Sequence, residues 1–257
     1  MLFGCCAKID QSAEVNAAGF DYIEAAVTSL IPDEKDETFA PILAQYKASP
    51  VPTKAMNLFL PRDLKIVGPE VNYIRIKNYV KRAVCRIQQV GASRVVVGSG
   101  EARNIPRGFP KNRAVEQIVH FFDILGKEAD ETQIIITIEP LNTKESNVIN
   151  SLTEGFSIVE RVNRRSVRLL ADFYHMDEEK EPLENIIKYS KCIKHVHVAD
   201  TGRKPPGTGF YPYSNFVDNL HKAKYDGMVS IECDWEDFKS EAPPSIQTLR
   251  KIFGKYD

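Results

Sequence analysis

Short apolar runs alternate with longer amphipathic segments along the chain, and this alternation occurs eight times. Several short runs, such as IIITI at 134–138 and RVVV at 94–97, are apolar at nearly every position. Strands covered on both faces have this composition, so the pattern predicts a parallel sheet. The predicted strands are Leu2–Ile9, Tyr22–Val27, Thr53–Leu60, Arg94–Ser99, Ile134–Pro140, Val167–Phe173, Ile193–Asp200 and Met228–Asp234.

The segments between these strands have helical periodicity. The clearest helix is predicted at Glu70–Val90, where the apolar residues form one stripe and Gly91 follows as a stop signal. The stripe contains Ile76, Val80, Ala83, Val84, Ile87 and Val90. A second helix is predicted to begin at Ser151, because Ser151 and Glu154 have the spacing of a capping box.

Eight strand-helix units predict an α/β fold, and specifically a single (βα)8 TIM barrel that occupies residues 1–257. The length of 257 residues suits one such barrel, and no linker rich in Pro, Gly or Ser divides the chain. An open doubly wound sheet is the alternative, because it uses the same units.

Composition and charge limit the classes of binding partner and the cellular compartment that we expect. The formal net charge is −1, so no overall field favours a nucleic acid or an anionic membrane. No apolar run is long enough to span a bilayer, and the N-terminal residues lack the pattern of a signal peptide. The five cysteines are odd in number and show no C-x-x-C spacing, which favours a reducing compartment. We therefore expect a cytoplasmic protein.

Candidate chemistry lies where the last four predicted strands end. Glu139 closes IIITIE, Asp172 closes VRLLAD, His197 lies late in IKHVHV, and Glu232 lies late in MVSIE. In a (βα)8 barrel the reactive side chains project from these strand ends. Three carboxylates converging with one imidazole would repel one another unless a cation lay between them.

One divalent metal ion is therefore predicted at Glu139, Asp172, His197 and Glu232. The donor set contains oxygen and one nitrogen but no thiolate, which favours Mn²⁺, and after it Mg²⁺ or Co²⁺, over a structural zinc site. The alternative is that the glutamates are rim carboxylates paired with Arg or Lys.

Two further histidines have predicted roles near this cluster. His195 is two residues from His197 on the same strand, so both side chains should point into the barrel, and His195 is predicted to be a hydrogen-bonded core histidine. His175 follows strand six and could reach a bound substrate.

An anion could be bound by Arg103, Arg107 and Arg203, although arginines in polar loops are often only solvated. A helix carrying Arg75, Lys77, Lys81, Arg82 and Arg86 predicts a solvated face, with a contact in a homo-oligomer as the alternative.

Several motifs resemble the xylose-isomerase-like barrels, a group of sugar isomerases and epimerases that includes the D-tagatose and D-psicose 3-epimerases and hydroxypyruvate isomerase. The matching segments are GFDYIE, NLFLP, IEPLN followed by Glu145, DFYHM, and HVHVAD followed by Arg203 and PPGTG. The resemblance implies that Glu139, Asp172, His197 and Glu232 bind the metal and that Glu139 and Glu232 also move protons. It further implies that Glu145, His175 and Arg203 contact the oxygens of a sugar or sugar phosphate.

The implied reaction is inversion of C3 of a ketose through an enediolate, with the two glutamates on opposite faces. An aldose–ketose or hydroxypyruvate-type isomerase would use the same groups. An abasic-site endonuclease is a more distant alternative, since that family carries further histidine ligands in its first strands and this chain has no histidine before His120. A sugar-binding protein without catalysis is the remaining alternative. The CDW segment after Glu232 and the loop from Gly98 to Arg107 depart from the pattern and bear on the substrate.

Overall fold

Eight parallel strands follow one another around a closed barrel in chain order, and the first strand pairs with the last. This is a computed structural model, and it describes residues 1–254. The strands are β1 Leu2–Cys6, β2 Tyr22–Ala26, β3 Thr53–Asn57, β4 Arg94–Val97, β5 Ile135–Ile138, β6 Val167–Asp172, β7 Ile193–Val198 and β8 Met228–Ile231. The pairing of Leu2 with Met228 closes the sheet and excludes the open doubly wound alternative.

Helices surround the barrel, as the alternating pattern predicts. They are α1 Ser12–Ala18, α2 Asp36–Ala48, α3 Tyr73–Val90, α4 Gly100–Arg103, α5 Lys111–Asp130, α6 Leu152–Val162, α7 Phe173–Glu178, α8 Asn185–Lys188, α9 Tyr213–Lys222 and α10 Phe238–Phe253. Short 3-10 helices occupy Ile9–Gln11, Val27–Leu30 and Thr201–Arg203. No helix within residues 1–254 combines the length and the apolar character that a membrane span requires.

All eight predicted strands are present, but each prediction runs one to three residues past the observed end. The reason lies in the residues that follow the strands at the mouth of the barrel. Phe59 and Leu60 after β3, for example, are buried although they have left the sheet. Burial alone therefore could not mark where the hydrogen-bonded ladder ends.

Local sequence signals determine where helix α3 begins and ends. Its predicted apolar stripe is buried throughout, and Gly91 ends the helix in the left-handed conformation with φ of 92°. Its start differs from the prediction, because the side chain of Asn72 accepts hydrogen bonds from the backbone N–H groups of Ile74 and Arg75 and caps the helix there. Helix α6 begins as predicted, with Ser151 accepting a hydrogen bond from the N–H of Glu154.

The prediction of a fully solvated basic face on α3 is wrong for Arg86. This side chain is buried and donates to the carbonyl groups of Leu30, Ile31 and Glu34 and to Asp36. It joins α3 to the segment that follows β2. Arg75 on the same helix is partly buried and forms ion pairs with Asp33 and Asp63.

Polar side chains fill part of the barrel interior. Tyr22, Glu24, Thr137, His195, His197 and Ser230 all have no measurable exposure. A Cβ atom on Gly4 would overlap the ring of Tyr22, so the glycine on β1 makes room for an inward tyrosine on β2. This buried polar layer lies directly beneath the strand ends that carry the candidate site.

Candidate active site

The structure brings together the four predicted metal ligands. Asp172 is the last residue of β6, His197 precedes the last residue of β7, and Glu139 and Glu232 follow β5 and β8 directly. Parallel strands present their carboxyl ends at one edge, so four consecutive strands deliver the four side chains to the same mouth. Glu139, Asp172 and His197 are buried, and the Glu232 side chain is 17% exposed.

The imidazole of His197 is at the centre of this cluster. Its Nδ1 atom lies 3.2 Å from Glu139 Oε1, 3.5 Å from Glu232 Oε2 and 3.7 Å from Asp172 Oδ2. One donor atom from each of the four residues falls within 4.8 Å of the others. A divalent cation with oxygen and nitrogen ligands fits such a space.

Unsatisfied atoms provide an independent test of this fit. His197 Nδ1 and Glu139 Oε1 are both buried, and neither makes a hydrogen bond within residues 1–254. A buried polar atom without a partner costs roughly 1–3 kcal/mol, and more when the group is charged. A cation between these atoms would satisfy both, so the residues fit the predicted metal.

The surroundings shift the pKa values of the two glutamates in opposite directions. Burial and the nearby charge of Glu232 raise the pKa of Glu139. Burial also opposes ionisation of Glu232, but His197 and Arg203 outweigh it and lower the pKa of Glu232. Two carboxyl groups with different proton affinities are an arrangement suited to acid–base work.

The predicted substrate contacts form an outer ring around the cluster. Arg203 donates to Glu232 Oε2 at 2.6 Å and to Glu145 Oε1 at 3.0 Å, and its guanidinium lies over the ring of Tyr174. Asn142 donates through its side-chain amide to the same Glu145 oxygen at 3.1 Å. These contacts tie Glu145 and Arg203 to one ligand of the cluster.

His175 lies in the same ring, and its hydrogen bonds fix its tautomer. The backbone N–H of Asn142 donates to His175 Nδ1 at 3.1 Å, so in the neutral ring the proton is on Nε2. His175 Nε2 is buried and has no partner within residues 1–254. The ring thus has an unused N–H donor, as expected of a residue that contacts a substrate oxygen.

The loop after β4 does not hold the anion-binding pair considered from the sequence. Arg103 is buried and donates to the carbonyl oxygens of Val97, Glu139 and Ile149, whereas Arg107 is exposed. A polar sequence context suggested a solvated side chain. The arginine instead turns inward, where it donates to the carbonyl oxygen of Glu139 at 2.8 Å. The carbonyl oxygens of Val97 and Ile149 accept from it in addition to the backbone N–H groups of Glu139 and Leu141.

Two site residues were not identified from the sequence. Glu24 on β2 accepts hydrogen bonds from His195 Nε2 at 2.7 Å and His197 Nε2 at 2.9 Å, and Asn57 at the end of β3 donates to Glu232 Oε1 at 3.1 Å. A signal for Glu24 existed, since a carboxylate inside an apolar strand requires a buried partner and both histidines were predicted to point inward. The predicted core role of His195 agrees with this contact.

Two cavities open beside the cluster at the mouth of the barrel. One of about 660 Å³ is lined by Cys6, Glu24, Asn57 and Leu58 among others, and one of about 490 Å³ includes Leu58, Leu141 and Glu145. Leu58 lines both cavities and is half exposed. Its φ of 44° is a left-handed backbone conformation that is uncommon for leucine. The first cavity adjoins the cluster through Asn57, which donates to Glu232, and the second through Glu145, which pairs with Arg203.

Comparisons with known proteins agree with this architecture. A family model described as a xylose isomerase-like TIM barrel matches residues 12–252. A putative hydroxypyruvate isomerase of Streptomyces coelicolor is 33% identical over 144 residues, which is 53% of this chain and 48% of that protein. The 3-dehydro-D-guloside 4-epimerase of Escherichia coli is 29% identical over 110 residues, 42% of each protein. The chain therefore matches about half the length of these curated relatives or less.

A solved structure extends the likeness over the whole fold. A crystal structure of D-psicose 3-epimerase in the presence of D-fructose superposes with a TM-score of 0.84, covering 99% of this chain and 100% of that one. The two sequences are 20% identical, so this comparison establishes the barrel.

Proposed function

The chain belongs to the xylose isomerase-like TIM barrel family, and from that premise we propose that it is a divalent-metal-dependent sugar epimerase inverting C3 of a ketose. The observation that carries this proposal is the convergence of Glu139, Asp172, His197 and Glu232, with buried atoms of Glu139 and His197 that make no hydrogen bond to any residue the structure describes. Mn²⁺ is the ion we expect, held by these four residues.

The protein groups divide the chemistry between them. Glu139 and Glu232 exchange the proton of the carbon beside the carbonyl, one removing it and the other returning a proton to the opposite face of a planar enediolate. Which glutamate removes the proton depends on the epimer that is bound. A bound divalent ion supplies Lewis-acid stabilisation of negative charge on the substrate oxygens.

Three further residues position the substrate in this proposal. The free Nε2–H of His175 donates to a sugar oxygen, and the guanidinium of Arg203 and the carboxylate of Glu145 bind hydroxyl groups near the reacting carbons. Arg203 also limits the motion of Glu232 through their 2.6 Å contact. A side chain held in this way loses less conformational freedom when it reacts.

An isomerase that moves a proton between a carbonyl carbon and the neighbouring hydroxyl-bearing carbon is the second candidate, because the similarity to a hydroxypyruvate isomerase favours it. These carbons are C1 and C2 in an aldose–ketose pair and C2 and C3 in hydroxypyruvate. Both reactions begin with removal of a proton next to a carbonyl group. The position of the exchanged hydrogen distinguishes them.

The experiment is a reaction of the Mn²⁺-loaded protein in D₂O with ketoses, their phosphates and hydroxypyruvate, followed by NMR. Deuterium at the inverted C3 of the product, with little label in unconverted substrate at early times, supports the epimerase. For the ketoses, deuterium at C1 of the ketose or C2 of an aldose product without C3 label identifies the isomerase. For hydroxypyruvate, whose C1 is a carboxylate carbon, the isomerase is identified by label at C3 or at C2 of the aldehyde product. Binding of a sugar without any exchange identifies a protein that binds sugars without catalysis. The phosphorylated and free sugars in the panel define which substrate the protein accepts.

A further inference from the structure

A buried carboxylate lies beneath the proposed metal ligands and belongs to none of the groups that react. Glu24 on β2 has no exposure, and it accepts three hydrogen bonds inside the barrel. His195 Nε2 and Ser230 Oγ lie 2.7 Å and 2.6 Å from its Oε2 atom, and His197 Nε2 lies 2.9 Å from its Oε1 atom. The hydroxyl of Tyr22 lies 2.7 Å from Ser230 Oγ and extends the network.

We propose that Glu24 is a positioning residue for the metal site, holding the His197 ring and its Nε2 proton so that Nδ1 presents a lone pair to the ion. The inference rests on the metal site of the proposed function. It assigns to Glu24 a role that requires both its shape and its charge.

The hydrogen-bond chemistry determines which nitrogen of His197 is free. An ionised carboxylate only accepts hydrogen bonds, so the His197 nitrogen that contacts Glu24 must carry its proton. The opposite nitrogen, Nδ1, is the one that lies 3.2–3.7 Å from the oxygen atoms of Glu139, Glu232 and Asp172. Metal-ligating histidines commonly donate their second N–H to a carboxylate, which orients the ring and makes it a stronger ligand.

The remaining contacts of Glu24 hold it in place from the other side. His195 and Ser230 both contact Oε2, so Oε1 is left for His197. A side chain needed only to fill this space would be apolar, because a buried anion costs several kcal/mol before its partners offset the loss of water.

The decisive variant is Glu24→Gln, which preserves size and removes the charge. Its amide oxygen can accept from one histidine, but its NH₂ group cannot accept from the other, so one ring must lose its contact or change tautomer. We expect Mn²⁺ to bind to the chelator-stripped variant roughly 10- to 100-fold more weakly than to wild type, measured by calorimetry. The control is Tyr22→Phe, which removes the hydroxyl at the far end of the same network and should leave the Mn²⁺ affinity within about threefold of wild type.

A second measurement reads the His197 ring directly. Ring-¹⁵N-labelled protein loaded with diamagnetic Mg²⁺ should show His197 protonated on Nε2 in wild type, and this signature should change in Glu24→Gln. Wild-type His197 protonated on Nδ1 in the Mg²⁺-loaded protein would overturn the proposal.

The affinity results separate this inference from the proposed function. If wild type binds no stoichiometric Mn²⁺, the proposed function and this inference fail together. If wild type binds it and folded Glu24→Gln binds it equally well, only the role of Glu24 is refuted. Equal weakening of Mn²⁺ binding in Tyr22→Phe would show a general loosening of the barrel interior and would also refute the role of Glu24.

If Glu24→Gln does not fold, Glu24→Asp tests the proposal instead. It keeps the negative charge but moves the carboxylate away from His197, so it should also weaken Mn²⁺ binding at least about tenfold.

Discussion

Arg203 connects the outer ring of the site to the cluster of proposed metal ligands through Glu232, with a guanidinium nitrogen 2.6 Å from Glu232 Oε2. Its second nitrogen lies 3.0 Å from Glu145 on the opposite loop. The Arg203 side chain is only 23% exposed, so solvent screens this pair less than it would a surface ion pair. One side chain thus influences both the substrate pocket and a proposed base.

Arg203→Ala should retain the metal and lower kcat/KM by at least about tenfold, equivalent to roughly 1.4 kcal/mol of transition-state stabilisation. The reason is that Glu232 loses its anchor while all four proposed metal ligands remain. Steady-state kinetics with Mn²⁺ analysis of the same preparation measures both effects. Arg107→Ala is the matched control, because Arg107 is exposed in a loop and should leave kcat/KM unchanged. An unaltered kcat/KM in Arg203→Ala would contradict the assignment.

His197→Ala should abolish stoichiometric binding of Mn²⁺. This substitution removes the only nitrogen donor of the cluster and leaves three carboxylates that repel one another without it. Elemental analysis of protein soaked in Mn²⁺ and then desalted gives the metal content. His120→Ala serves as the control, because His120 lies on α5 against the ring of Tyr73 and should bind one ion like wild type. Equal metal content in the two variants would rule out the site.

Gly98 leaves room for the carboxylate of Glu139 because it has no side chain. A Cβ atom at Gly98 would overlap Glu139 Oε2, so Gly98→Ala must displace that carboxylate. We expect Gly98→Ala to weaken Mn²⁺ binding at least about tenfold while the protein remains folded, as measured by calorimetry and circular dichroism. Gly254→Ala is the control, since no atom of residues 1–254 lies within 4 Å of a Cβ built there. Unchanged affinity in Gly98→Ala would show that Glu139 does not need its observed position.

The four proposed ligands were predictable from the sequence because each lies within one residue of the end of a short strand, and parallel strands of a barrel end at one face. For Glu24 the sequence indicated only the need for a buried partner, because His195 and His197 are 171 and 173 residues away and the contacts form only when the barrel closes. Arg103 misled for a different reason. Its polar neighbours in the sequence are typical of a solvated loop. The three carbonyl oxygens that accept its hydrogen bonds lie at the end of β4, directly after β5 and shortly before α6.

Arg103→Met should destabilise the fold by about 1–3 kcal/mol, because a side chain of similar length cannot donate a hydrogen bond to the buried carbonyl oxygen of Glu139. Chemical denaturation monitored by circular dichroism gives the free energy of unfolding. Arg107→Met provides the comparison and should change that free energy by less than about 0.5 kcal/mol. Equal stability of the two variants would mean that water satisfies the carbonyl group of Glu139 when Arg103 is absent.

Glu139→Gln and Glu232→Gln test the use of two bases. Each glutamine keeps an oxygen ligand but cannot take up a proton, and a positioned acid or base typically contributes about 10²–10⁴ in rate. Both variants should therefore retain Mn²⁺ and lose at least about 100-fold in kcat for epimerisation. Glu131→Gln, an exposed change at the end of α5, is the control and should behave as wild type.

Isotope exchange adds a distinction that kcat alone does not give. With one base intact, a variant can still remove the C3 proton of the epimer that this base serves and exchange it with solvent, but it cannot deliver a proton to the opposite face. Substrate recovered from D₂O should then carry deuterium at C3 without inversion, and the two variants should act on opposite epimers. If both variants remain fully active, or if either alone still inverts C3, a single base accounts for the reaction and the two-glutamate mechanism is wrong.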